Sequence, residues 1–265
     1  MDKFLKGKVA LITGAGGDGF GREMARVFAS KGANIVINDI NLKGLEETRD
    51  LVLKEYEVEV LIVEADISKS SAVKEMVKKV FEKFDNIFLL VNNAGIEGGL
   101  QSLKTKEEVY DQVMAVNLKG AWNVTKAFFR KMKSQRNFTP IRGKIINIAS
   151  CAGTQNGINP MIGIYSASKA GLIAFTKLWA LELGPSDITV NAISPGVIIS
   201  AMYDNDPKRG RQYLESRGVK LPIDRLGEKK EVADIALFLA SPAADYITGQ
   251  NIILDGGMTV SINKL

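Results

Sequence analysis

The segment YSASK sets Tyr165 and Lys169 four residues apart, a spacing that puts a phenol and an ammonium on one face of a helix. A phenol can give or take a proton, but an unperturbed pKa of about 10 makes it a poor base near neutrality. An ammonium about 4 Å away, at an effective dielectric of about 20, would favour the phenolate by about 4 kcal/mol, an upper-end shift of roughly three units. The pair therefore predicts a phenol lowered toward working pH. The structural alternative is a tyrosine packed in the core and a solvated lysine. The chain has no histidine, which removes the usual general base and the commonest metal ligand, so no metal site is expected. Cys151 is the single cysteine; without a histidine to activate it, it reads as a small buried hydrophobe in a reducing compartment.

A second candidate is the glycine-rich stretch TGAGGDGFGREM, Thr13–Met24. Gly14, Gly16 and Gly19 spell G-x-G-x-x-G; Gly14, Gly19 and Gly21 spell a different turn. Glycines here let the chain turn sharply and let backbone N–H groups approach a pyrophosphate at a helix N-terminus. The following helix decides the register. Its apolar side, Phe20, Met24, Val27 and Phe28, has helical spacing, and it stops at Lys31-Gly32. Counting back puts Gly19 and Gly21 at the helix mouth and leaves Gly16 as loop flexibility. The alternative is a plain tight turn.

These residues need a scaffold. Apolar runs fall at 8–13, 34–39, 58–65, 87–93, 143–150, 188–194 and 251–256, several of them continuously apolar, as strands buried on both faces are. Helical patterns alternate with them, at 22–31, 70–84 and 107–133 among others. That alternation predicts an α/β fold: a Rossmann-type doubly wound parallel sheet of about seven strands, with helices on both faces and right-handed crossovers. At 265 residues the chain reads as one dinucleotide-binding catalytic domain, 1–265. The segment 201–228, with six basic residues against five acids and several Pro and Gly, reads as a substrate-loop excursion or helical lid. Lys208, Arg209, Arg211, Arg217, Lys220 and Arg225 there fit either an anionic substrate or a solvated face. The net charge of +5 without long like-charge runs points away from nucleic acid. No apolar stretch is long enough to span a membrane and no signal peptide is evident, so a cytoplasmic protein is expected.

Further pieces fall in order along the chain: NNAG (Asn92–Gly95), VMAVNLKG with Asn117, INIAS ending in Ser150, YSASK, ISPG, and TGQNIILDGG. Together with the glycine turn they resemble the single-domain branch of the short-chain dehydrogenase/reductase family, over roughly Leu5–Gly257. The family has three residues between the first glycine and the glycine pair; here there are four, Ala15–Asp18. The resemblance implies catalytic roles for Asn117, Ser150, Tyr165 and Lys169. Tyr165 would trade the proton and Ser150 would hydrogen-bond the substrate oxygen. Asn117 would hold a water relaying protons from Lys169.

For the cofactor, it implies contacts from Gly14, Asp18, Gly19, Phe20 and Gly21 at the turn, and from Asp39 and Ile40 at the ribose. Asp66 and Ile67 would lie by the adenine, and Asn93, Ala94 and Gly95 beneath the cofactor. Tyr165, Lys169, Pro195, Gly196, Ile198 and Ser200 would surround the nicotinamide. Asp39 would accept hydrogen bonds from a ribose and repel a 2′-phosphate, with Asp18 adding charge, so NAD is expected over NADP. The partner is a small alcohol or ketone. Glu97 resembles an acidic residue of some sugar dehydrogenases or is a solvated loop residue; Met161, Ile162, Ile164 and Met202 suggest an apolar wall. Small residues along the Tyr165 helix allow close helix packing, and the resemblance implies that this helix packs against its symmetry mate in a D2 homotetramer. An NADPH-dependent 3-ketoacyl-thioester reductase and a non-catalytic NAD-binding redox sensor are the competing readings.

Overall fold

The five inner strands of a seven-stranded sheet are buried on both faces, and its two edge strands are partly exposed. The computed structural model describes residues 3–98, 101–155, 162–200, 205–216 and 218–261. Strands β1 (Val9–Thr13), β2 (Asn34–Asp39), β3 (Val60–Glu64), β4 (Leu89–Asn92), β5 (Gly143–Ile148), β6 (Ile188–Pro195) and β9 (Asn251–Leu254) form one sheet in the order β3-β2-β1-β4-β5-β6-β9. All pairings are parallel. Along β1 the side chains alternate between two cores. Ala10 and Ile12 pack with Met24 and Phe28 of α1 (Phe20–Ser30), Leu45 and Val52 of α2 (Leu42–Glu55), and Val232, Ala236 and Leu239 of α8 (Lys229–Ala240). Val9 and Leu11 pack on the other face with Met76 and Val80 of α3 (Ser70–Lys83), Val124 and Phe128 of α5 (Ala121–Ser134), and Leu172 and Leu183 of α6 (Gly163–Leu183). The period of two with both faces apolar is the reason these strands read as unbroken runs.

The chain order reverses direction across the sheet between β1 and β4. In a doubly wound sheet this switch point opens a crevice at the carboxyl ends of the strands. Gly14 follows β1 there and Asn93–Gly95 follows β4, so topology alone brings two of the sequence motifs to one place.

Two features depart from the expected elements. The helix expected over 107–133 is α4 (Glu107–Met114) joined to α5 through a π-helical turn, Ala115–Gly120, which carries Asn117. Such widened turns insert one residue and re-aim side chains, often at functional sites. The excursion expected at 201–228 has its own small core. Helix α7 (Pro207–Glu215), capped by Asp206, packs Leu214 against Val197, Leu221 and Leu226, and β7 (Ile198–Ile199) pairs with β8 (Gly227–Glu228) to close the base. No helix among the described residues is long and apolar enough to cross a membrane.

Candidate active site

The glycine turn is built by close approach. Gly14 lies at φ +69°, where a side chain is strained, and a Cβ there would stand 2.6 Å from the Ala94 Cα. Asn93 holds the same point from the other side, donating from Nδ2 to the carbonyls of Thr13 at 2.8 Å and Gly14 at 2.9 Å. Gly21 lies against the Gly14 carbonyl, so a Cβ there would collide with it. The residue pair Gly14/Gly21 thus seats α1 on β1, as the expected register requires.

Gly16 proves to be more than loop flexibility. Its N–H donates to Asp39 Oδ2 at 2.9 Å and its carbonyl accepts from Asn41 Nδ2 at 3.1 Å. That carbonyl also rests on Gly44, in the first turn of α2, where a Cβ would collide with it. The Ala15 carbonyl accepts from Thr48 Oγ1 at 2.8 Å. The longer turn is therefore accommodated by folding Ala15 and Gly16 onto α2. Gly17 and Gly19 do the opposite: a Cβ on either would meet no protein atom within 4 Å, and both face a cavity. Backbone without side chains, open to a crevice at the mouth of α1, is a cradle suited to phosphate.

The cavity, about 760 Å³, runs from Asp39 to Tyr165. Of the expected residues its wall includes Gly14, Gly19, Phe20, Asp39, Ile40, Asp66, Ile67, Asn93, Ala94, Gly95, Ser150, Tyr165, Lys169, Pro195, Gly196, Ile198 and Ser200. Asp18, Gly21 and Asn117 lie outside the wall. At one end, Asp39 accepts from the N–H groups of Gly16, Ile40 and Asn41 at 2.9, 2.8 and 3.1 Å, which fixes its carboxylate. Burial raises the Asp66 carboxyl, but hydrogen bonds from Ser68 and Lys69 outweigh it and hold the group below its ordinary value. The dimensions and donors fit a dinucleotide: a cradle for phosphates, a carboxylate beyond it, and an apolar slot between Ile40 and Ile67.

At the other end, α6 carries Tyr165 and Lys169 on one face, and Ser150 follows β5. The expected lowering of the phenol is not what the site shows. Burial pushes Tyr165 up; a hydrogen bond with Ser150 pulls the other way, and the charge of Glu97 pushes up again. Burial acts on Lys169 as well, bringing its pKa down to about 8. Its Nζ sits 5.7 Å from the Tyr165 ring centroid and donates to the Ile148 carbonyl at 2.8 Å. Ser150 Oγ accepts from the Ala152 N–H at 3.1 Å. Burial pushes the neighbouring Cys151 thiol up to about 11, consistent with an inert cysteine.

Asn117 does not bond Lys169. It is 1% exposed; Oδ1 accepts from the Ile96 N–H at 2.8 Å, and Nδ2 donates to the Ile96 carbonyl at 2.9 Å and Ser168 Oγ at 3.1 Å. It thus ties the segment following β4 to α6, one residue from Lys169. Gly95 leaves the gap between them: a Cβ there would stand 3.1 Å from Lys169 Nζ and 3.4 Å from Asn117 Oδ1. Asp18 is also corrected. Its carboxylate meets Lys229 Nζ at 2.8 Å, so its charge is answered locally rather than spent against a 2′-phosphate.

Around the lid, Arg211 pairs with Asp224 at 3.2 Å and Arg225 with Glu231 at 2.6 Å, so these cations do not point to an anionic substrate. Ile162 lines the cavity, whereas Ile164 is buried beside it; Met161, Met202 and Arg217 fall outside the described residues. The sequence reading missed Gly17, Tyr213, Met258 and Thr259 in the wall. It also missed Gly44, for which a signal existed: an isolated glycine inside a helical pattern commonly has a packing reason.

Comparison with known proteins agrees with this geometry. A family model described as enoyl-(acyl carrier protein) reductase matches residues 14–259. The chain is 40% identical over 261 residues to the 3-oxoacyl-(acyl-carrier-protein) reductase FabG of Thermotoga maritima, covering 97% of this chain and 99% of that one. It is 38% identical over 260 residues to BbsD of Thauera aromatica, a subunit of a hydroxy(phenyl)methylsuccinyl-CoA dehydrogenase, covering 97% and 98%. The crystal structure of levodione reductase superposes with a TM-score of 0.87 at 32% identity, covering 97% and 99%. The motif order, the switch-point cavity and these likenesses converge: the chain belongs to the short-chain dehydrogenase/reductase family, oxidoreductases that use a nicotinamide cofactor on carbinol and keto groups.

Proposed function

We propose that the chain is an NAD-linked oxidoreductase that interconverts a ketone and a secondary alcohol, with Tyr165 as the proton-trading group. The observation that carries this reading is one cavity with Ser150, Tyr165 and Lys169 at one end and the fixed Asp39 carboxylate at the other. When bound, the cofactor supplies or accepts the hydride. Tyr165, raised by burial, is a neutral phenol at pH 7 and is set to donate a proton to a carbonyl oxygen as it becomes negative. Ser150 donates a second hydrogen bond to that oxygen. Lys169, close by and still largely charged below its pKa of about 8, stabilises the phenolate left behind. Asn117 keeps α6 and the segment following β4 in register.

Asp39 supports NAD over NADP, because a 2′-phosphate would approach a like-charged carboxylate that three backbone N–H groups hold in place, while a ribose hydroxyl could still donate to it. The relatives favour a 3-oxoacyl or hydroxyacyl thioester as the substrate class, since FabG and BbsD are named for thioester substrates. A homotetramer is proposed on the outward face of α6, where Ala167, Ala170, Ala174, Leu178 and Leu181 are exposed; light scattering reads the assembly directly. The functional test is a fluorescence titration with NADH and NADPH, followed by turnover on thioesters, cyclic ketones and sugars. Tighter NADH binding and reduction of a 3-oxoacyl thioester are expected. A clear NADPH preference overturns the cofactor assignment, and tight binding without turnover on any substrate favours a redox sensor.

A further inference from the structure

Asp18 and Lys229 are 211 residues apart in the chain and meet at 2.8 Å. Lys229 is the first residue of α8, directly after β8. A cation gains nothing there from the helix dipole, and the end is already closed by the reciprocal capping of Glu228 and Glu231. Its position is explained instead by what it reaches. Three acceptors surround Nζ: Asp18 Oδ1, the Asp18 carbonyl at 3.4 Å, and Asn205 Oδ1 at 3.3 Å. Asp18 stands between Gly17 and Gly19, both in the cavity wall at the phosphate cradle. Asn205 stands at the root of the lid, just before the Asp206 cap of α7. It is held at φ +55°, and its N–H donates to the carbonyl of Ser200, another wall residue, at 2.9 Å. One ammonium therefore touches the turn that cradles phosphate and the segment from which the lid departs.

We propose that Lys229 is a positioning residue that sets the register between the phosphate turn and the lid, so that cofactor held by one and substrate held beneath the other are aligned. This rests on the reading of the glycine turn as the cofactor cradle. With Lys229 24% and Asp18 52% exposed, the ion pair contributes little to global stability. Its effect is local, which separates it from a structural role.

The test compares wild type with Lys229→Gln, Asp18→Asn, the double variant, Asn205→Ala and Lys229→Arg. The readouts are cofactor Kd by fluorescence, melting temperature, and tryptic nicking of α7 after Lys208, Arg209 and Arg211 with and without saturating NADH. In wild type NADH slows nicking by about fivefold or more. In Lys229→Gln and Asp18→Asn the Kd rises about three- to tenfold and the protection is lost, and the double variant is no worse than either, as coupled residues require. Asn205→Ala keeps Kd within about twofold and loses only the protection; Lys229→Arg restores both; melting temperatures stay within about 2 °C, as a partly exposed pair predicts. Undiminished protection in Lys229→Gln, additive losses in the double variant, or no protection in wild type overturns the proposal. Tighter NADPH binding in wild type overturns only the NAD preference, and the same series is then run with NADPH. Binding of neither removes the cradle reading and this proposal with it.

Discussion

Two lysines are buried at opposite ends of β5. Lys144, near its start, is 1% exposed; its ammonium meets Asp245 at 2.7 Å and donates to the carbonyls of Leu239 and Ser241 at 3.1 and 2.8 Å. Lys169 reaches the far end of the strand and donates to the Ile148 carbonyl at 2.8 Å. Burial lowers both pKa values. At Lys144 the hydrogen bond and charge of Asp245 oppose the loss. At Lys169, among the described residues, no carboxylate does so, and the value falls to about 8. A buried charge answered by a carboxylate and two carbonyls pins helix α8 to the sheet. A buried charge left beside a phenol and one carbonyl is costly to keep, and such costs cluster where chemistry is done.

The contrast breaks most sharply on paired substitutions. Lys169→Met is expected to lower turnover by about a hundredfold or more while the protein stays folded, the scale of losing a group that assists proton transfer. Lys144→Met is expected to leave turnover per folded molecule near wild type and to cost about 2–4 kcal/mol in urea unfolding, because Asp245 loses its buried partner. Steady-state kinetics and denaturation on both proteins decide it; the reverse pattern ends the comparison.

A pH series sharpens it. The folded pKa of Lys169, about 8, lies below its free value of 10.5. Between those values the unfolded chain binds more protons, so this group's contribution to stability rises with pH. The stability of wild type relative to Lys169→Met should therefore increase by on the order of 2 kcal/mol between pH 7.5 and 10. A flat difference shows that Lys169 is not held at a lowered pKa.

Away from the two lysines the expected effects shrink. Gly44→Ala pushes a Cβ into the Gly16 carbonyl and is expected to weaken NADH binding about tenfold, with catalysis at saturating cofactor little changed; displacement of the turn is the cause. Cys151→Ala is expected to keep turnover within about threefold, and iodoacetamide at pH 7.5 to leave the enzyme active, because the thiol is pushed up to about 11. Rapid inactivation by iodoacetamide would restore the cysteine to the mechanism.

These contrasts also show what a sequence can disclose. All seven strands of the sheet were readable, the five inner ones because strands buried on both faces keep unbroken apolar runs, and β2 falls on its expected bounds, Asn34–Asp39. Tyr165 and Lys169 were readable as a pair because helical spacing puts them on one face, and Ser150 joined them only through the family resemblance. What was not readable depends on approach between distant segments. Gly16 gained its role only when α2 placed Gly44 beneath it, and Asp18 only when α8 brought Lys229 across 211 residues. The phenol shift was expected with the wrong sign, since pairwise attraction can be guessed from spacing but burial cannot. The β7–β8 pair, of two residues each, carries too short a pattern to be seen in sequence.

The account rests most directly on the Tyr165 hydroxyl, and Tyr165→Phe removes that group while keeping the ring. NADH titration and turnover, measured together on the best ketone substrate, give the answer. The account predicts turnover reduced by about a thousandfold or more, with NADH Kd within about threefold of wild type, as loss of the proton donor alone would produce. Turnover near wild type in Tyr165→Phe would contradict it.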